Sequence, residues 1–162
     1  MPPRPCHVAK MLASLVLLAS SAHAATSTGS LAVRVVVQNA CSVTGTTLDF
    51  GTYISGQTSD LLTTGEIGYT ACPAGQIRFD LDGGTNGTVT ARKLSNGDGN
   101  LLEYALFRNS ARSLTFGEGT DGQTLTLTDA GSGSITVYGQ IVKGQAAPTG
   151  IYTDIVTITL TF

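Results

Sequence analysis

Short alternating runs, cut at close intervals by glycine beside asparagine or aspartate, constrain this chain more than any other feature. Asp82-Gly83-Gly84, Asn86-Gly87, Asn96-Gly97-Asp98-Gly99, Gly117-Glu118-Gly119, Asp121-Gly122 and Gly131-Ser132-Gly133 are built from residues that tolerate positive φ, so they mark tight turns. Between them lie strand-length runs, near residues 41–50, 66–72, 76–82, 87–94, 101–108, 112–116, 123–128, 134–143 and 150–162. The chain has twenty glycines, only 12% charged residues and many threonines, with no heptad or helical period. The expectation is an all-β domain of about nine or ten strands, hence a sandwich or a barrel.

The first 24 residues have a different character. Arg4 and Lys10 precede an apolar run from Met11 to Ala19, and Ala22-His23-Ala24 follows. A basic region, a short apolar region and a small-x-small site predict a secretory signal peptide over residues 1–24. The apolar run is too short to span a bilayer, and no second one follows, so an exported protein that is not membrane-embedded is expected. Cys6 precedes the apolar run, where a lipoprotein cysteine would have to follow it.

Cleavage after Ala24 would remove both histidines, both methionines and one of three cysteines. Seven basic residues would then face eleven acidic ones, a net charge of about −4. That balance argues against nucleic acid or an anionic lipid surface as the main partner. Loss of histidine removes the usual catalytic base and metal ligand, so no enzyme, cofactor or metal site is expected. The two remaining cysteines, Cys41 and Cys72, are expected to form a disulfide in an oxidising compartment.

Motifs that suggest chemistry have plainer readings here. Gly117-Glu118-Gly119-Thr120-Asp121-Gly122 fits a dinucleotide fingerprint, but no helix or βαβ unit surrounds it, so it reads as a turn. Asn96-Gly97-Asp98-Gly99-Asn100 looks like the start of a calcium loop, yet Leu101 stands where glycine is needed and Phe107 where the bidentate glutamate belongs. A hairpin turn is expected there. Asp80 and Asp82 share a strand face, and surface acids near a turn are the reading for that pair. The aromatics sit within strand runs, which suits packing better than the sugar-stacking platform of a carbohydrate-binding module.

Two stretches stand out as surfaces. In residues 31–37, Leu31, Val33, Val35 and Val37 recur at spacing two and project to one side, with Arg34 on the other. At the far end Val156, Ile158, Leu160 and Phe162 share one face and Thr157, Thr159 and Thr161 the other, with Tyr152 and Asp154 extending the first face backwards. A strand carboxylate at Phe162 is expected to be a handle for a basic pocket on another protein.

Several segments in order resemble the spore coat protein U domain, shared by pilins of the archaic (Csu-type) chaperone-usher pathway. They are Thr28-Gly29 before the alternating strand, Cys41-Ser42-Val43, Leu48-Asp49-Phe50-Gly51-Thr52-Tyr53, Ile67-Gly68-Tyr69-Thr70-Ala71-Cys72 and Ile77-Arg78-Phe79-Asp80-Leu81-Asp82-Gly83-Gly84. Leu102-Glu103-Tyr104-Ala105-Leu106-Phe107-Arg108-Asn109, Val137-Tyr138-Gly139-Gln140-Ile141 and Gly150-Ile151-Tyr152-Thr153-Asp154 complete the set. The resemblance implies a single immunoglobulin-like, pilin-type β-sandwich over residues 41–162, incomplete by one strand and completed by donor-strand exchange. Residues 25–40 would then be a donor extension, with Leu31, Val33, Val35 and Val37 entering a neighbouring copy. Val156, Ile158, Leu160 and Phe162 would form the docking edge for a periplasmic chaperone, and an outer-membrane usher would catalyse the exchange. The implied path runs through the periplasm to an extracellular pilus active in adhesion and biofilm. Taken without the resemblance, an N-terminal strand is expected to open its own sheet, as in a secreted coat-like sandwich.

Overall fold

A computed structural model describes residues 27–37 and 40–162; the expected signal peptide lies outside the described residues. The chain divides into two units, one ending at Val36 and the other running from Val37 to Phe162. In the first, residues 27–36 form no strand, and Leu31, Val33 and Val35 are 88%, 86% and 80% exposed. The alternating run expected as a strand therefore has no ladder partner among the described residues. Val37, the first residue of the second unit, is equally exposed.

The second unit is all-β, with eight strands: β1 (Ser42–Gly45), β2 (Leu61–Cys72), β3 (Gly75–Leu81), β4 (Arg92–Ser95), β5 (Leu101–Phe107), β6 (Gln123–Leu127), β7 (Gly131–Ile141) and β8 (Ile158–Thr161). They form a five-stranded sheet in the order β1-β2-β7-β5-β4 and a three-stranded sheet in the order β6-β3-β8, paired antiparallel throughout. This is a β-sandwich, one of the two architectures the turn pattern allows and the one the family resemblance implies.

Alternation decides which side chains enter the core. Ile67 and Tyr69 of β2, Ile77, Phe79 and Leu81 of β3, Leu102, Tyr104 and Leu106 of β5, and Ile135, Val137 and Ile141 of β7 are all buried. Each set recurs at spacing two or four, as one face of a strand must. Gly139 shares the inner face of β7, and a Cβ there would stand 2.9 Å from Leu48, Phe50 and Thr63. Its bare backbone admits the side chains of Leu48 and Phe50 into the interior. Cys41 and Cys72 form a disulfide that ties the start of β1 to the end of β2, across a separation of 31 residues. On a chain-entropy basis such a loop stabilises the fold by roughly 3 to 4 kcal/mol.

Three expected strands differ in extent. Residues 87–94 contain a tight turn, in which Thr88 and Ala91 exchange backbone bonds, so that only Arg92 onward is laddered. Residues 112–116 form no strand: Arg112 takes a φ of 51°, and a single bridge joins Thr115 to Phe107. At the C-terminal end the ladder covers only β8, with one earlier bridge between Thr153 and Ser95. The periodicity of residues 150–157 is that of a strand, but a ladder needs a second neighbour, which most of that stretch lacks. The Asn96 turn is a hairpin connection as expected, Asn96 Oδ1 accepting from the N–H groups of Asp98 and Asn100.

Arg92 went unnoticed in the sequence. Its side chain has no solvent exposure, and its guanidinium donates to the carbonyls of Leu81 (3.1 Å), Asp82 (2.6 and 2.9 Å), Val89 (3.3 Å) and Phe116 (2.9 Å). Burial holds its pKa below the ordinary arginine range, against the opposing pull of Tyr104, Asp82, Asp154 and Glu118. The guanidinium closes off the end of β3, the turn at residue 89 and the segment after β5 with one group. Replacing Arg92 by Met leaves several buried carbonyls without a donor, at about 1 to 3 kcal/mol each. Urea denaturation of the full chain should show a loss of at least about 3 kcal/mol.

Candidate functional site

Two stretches of extended backbone flank an open groove between the sheets. The first, residues 43–53, runs beside β2: beyond β1, Thr46 N–H donates to the Glu66 carbonyl (3.3 Å), and Thr63 Oγ1 donates to the Asp49 carbonyl (2.7 Å). The second, residues 147–158, meets β4 of the same five-stranded sheet at Thr153 and then crosses to the end of β3 in the three-stranded sheet. Thr153 exchanges two 2.9 Å backbone bonds with Ser95. The Thr157 carbonyl accepts from Asp82 N–H (3.1 Å), Thr157 N–H donates to Asp82 Oδ1 (2.9 Å), and the Ile155 carbonyl accepts from Thr85 Oγ1 (3.4 Å).

The odd-numbered residues of this wall thus direct their backbone groups toward β4 and residues 82–85. Strand alternation turns the N–H and C=O of Tyr152, Asp154 and Val156 the other way, toward the groove, and none has a backbone partner among the described residues. Side chains alternate as well. Tyr152, Asp154, Val156, Ile158 and Leu160 face inward and are half-buried, while Ile151 and Ile155 face outward and are 85% and 76% exposed.

The groove comprises two adjoining hollows of about 570 and 600 Å³. The first is floored by Ile67, Leu81, Leu106 and Val137 and flanked by Val43, Leu48, Val156 and Ile158. The second is lined by Tyr53, Leu102, Ile141, Ala147 and Tyr152. Thr47, Leu48, Phe50, Leu94 and Asp154 border both, so the hollows form one trough. Its walls come together at one end, where a Cβ on Gly45 would stand 2.8 Å from Ile158 Cδ1.

A hydrogen-bonded polar pair lies within this lining. Tyr104 donates its hydroxyl to Asp154 Oδ2 (2.6 Å), and Thr85 N–H donates to Asp154 Oδ1 (2.9 Å). Burial, together with the bond to Asp154, raises the Tyr104 pKa far above its ordinary value, so the phenol stays protonated as a donor. The carboxylate is thereby turned into its own domain. Neither Tyr104 nor Asp154 carries a sequence signal for this pairing, since 50 residues separate them.

The residues singled out from the sequence have distinct placements. Val156 and Ile158 border the groove and Leu160 packs against the core, but Phe162, expected on the same face, is 53% exposed just past the last laddered residue. Asp80 accepts from Arg78 at 2.7 and 3.1 Å. Asp82 caps Gly84 N–H (2.9 Å) and Thr157 N–H (2.9 Å), so both acids hold structure. Burial pushes the Asp82 carboxyl up, but the bonds from Thr157 and Gly84 and the nearby Arg92 charge outweigh it and leave the pKa lowered.

A carboxyl whose folded pKa lies below its unfolded value contributes stability above the unfolded value, near 3.8, and loses it as pH falls through the folded one. Asp82 anchors one groove wall, so acid should loosen that wall. The stability gap between the natural chain and Asp82→Asn should therefore shrink steadily below about pH 4, read by urea midpoints across acid buffers.

These features define an all-β sandwich with an open apolar groove between two unpaired backbone edges. Residues 27–159 match the Spore Coat Protein U domain, and the chain belongs to that family. It is 32% identical to Protein U of Myxococcus xanthus over 173 aligned positions, covering 96% of each chain. Its fold is similar to that in the pre-assembly complex of CsuC with the tip adhesion subunit CsuE, from archaic chaperone-usher Csu pili of Acinetobacter baumannii. That match has a TM-score of 0.53 at 20% identity, over 75% of this chain; the chain spans 39% of the length of the solved one.

Proposed function

We propose that this protein is a structural subunit of an archaic chaperone-usher pilus, exported to the cell surface and polymerised by donation of residues 31–37 into the groove of another copy. The carrying observation is the trough between two unpaired edges in a chain that also holds a row of four exposed aliphatic side chains. Burying Leu31, Val33, Val35 and Val37 at about 1.5 to 3 kcal/mol each gives roughly 6 to 12 kcal/mol before the cost of association. The inserted strand also supplies partners to Tyr152, Asp154 and Val156, whose open edge is otherwise a site for aggregation.

An edge of that kind needs cover before assembly, and the similar fold was solved in a chaperone complex. A periplasmic chaperone docked along Val156, Ile158, Leu160 and Phe162, followed by transfer at an outer-membrane usher, supplies that cover. Adhesion and biofilm formation follow as the polymer's roles. The likeness to Protein U supports a second reading, a secreted coat protein that fills its groove with its own leading segment.

Val33→Asp combined with Val35→Asp places two charges in the apolar trough. On coexpression with the cognate chaperone and usher, fibres should disappear in electron micrographs while the chaperone complex persists. Normal fibres from this variant would remove the donor assignment. A monomer that protects residues 31–37 from hydrogen exchange would favour the coat reading.

A further inference from the structure

The groove face explains four of the leading residues and leaves Ala32, Arg34 and Val36, which project to the other side. The outer side of the C-terminal wall carries a matching row. Ile151 and Ile155 are exposed and four residues apart with Thr153 between them; Ala32 and Val36 are exposed and four apart with Arg34 between them. Apolar, polar, apolar at the same interval occurs on both strands.

From this we infer that a second copy's leading segment docks antiparallel to residues 150–158 in one register, with Arg34 opposite Thr153, fixed by an outer seam of Ala32 on Ile155 and Val36 on Ile151. The inference rests on the donor reading above and adds to it a specific alignment and two exposed side chains on the outer side of the wall. In this register Leu31, Val33 and Val35 fall opposite Val156, Asp154 and Tyr152, the residues whose backbone groups face the groove. Those become the hydrogen-bonded pairs, and the outer pairs become the non-hydrogen-bonded ones, whose side chains approach most closely.

The alternatives fit less well. Sliding the segment by two residues one way sets Arg34 on Ile155 and Gln38 on Ile151, and forces Leu31 against Ile158 where the walls meet. Sliding it the other way sets Arg34 on Ile151 and Ser30 on Ile155. In the chosen register Gly29, without a side chain, meets Ile158 at the closed end, and Val37 meets Gly150 at the open one. A parallel alignment with the same Arg34 pairing would carry Asn39 to the closed end instead.

The test uses full-length chains assembled together and oxidised, one carrying Arg34→Cys and the other a cysteine on the wall. Directly opposed residues lie within disulfide reach. Arg34→Cys should cross-link between copies to Thr153→Cys with a yield about five-fold or more above that to Ile151→Cys or Ile155→Cys. A higher yield at either isoleucine position overturns the register and leaves the donor reading intact. Equal background at all three positions, or no polymer at all, overturns both. Adding Ile151→Ser and Ile155→Ser to the Thr153→Cys chain, which leaves the groove lining Tyr152, Asp154 and Val156 unchanged, should lower the cross-link yield about five-fold. An unchanged yield would remove the seam.

Discussion

Unpaired backbone at the edge of a sandwich is the constraint on which this structure turns. Tyr152, Asp154 and Val156 present amides and carbonyls to an open trough, and Val43, Leu48 and Ile158 present hydrocarbon to the same space. A peptide group without a partner is costly once water is excluded, and an apolar floor is costly while water remains. Both needs are met by the same object, an extended segment with one apolar face. The molecule carries a run of alternating aliphatic residues at 31–37 whose side chains are exposed, and on the proposed function it is this run that meets both needs in another copy.

A groove this open keeps its shape only if its walls are held, and polar groups provide much of that rigidity here. Arg92 gathers carbonyls from three separate segments behind Leu81, one of the groove's floor residues. Asp82 fastens the C-terminal wall at Thr157, and Asp154 fastens it to Tyr104 and Thr85. Each bond joins residues distant in sequence. Collapse of the trough onto itself would break several of them together, because the wall carries them in succession. The disulfide adds a covalent tie at the start of the opposite wall.

Legibility in the sequence tracked the range of the interactions involved. The core faces of β3, β5 and β7 follow from period-two alternation, and the hairpin at Asn96 follows from residues that fold on themselves. Cys41 and Cys72 are the two cysteines left after the expected cleavage, so their pairing was also accessible. Residues 112–116 misled because the alternation of Leu114, Thr115 and Phe116 can pack a loop as well as a strand, and Phe116 does so fully buried. Arg92 carried no signal of its role, because a cation in a strand ordinarily marks a solvated face.

By itself the sequence determined an all-β domain, sandwich or barrel, with its turns, its disulfide and a leading segment of alternating aliphatic residues, since each depends on neighbours along the chain or on composition. Only the tertiary structure decided that residues 43–53 and 147–158 stand as opposite walls of one trough, that Arg92 and the Tyr104–Asp154 pair support it, and that Phe162 lies outside it. Those outcomes depend on which distant backbone groups find each other across the two sheets. Strand periodicity assigns a side chain to a face but does not say what lies opposite that face.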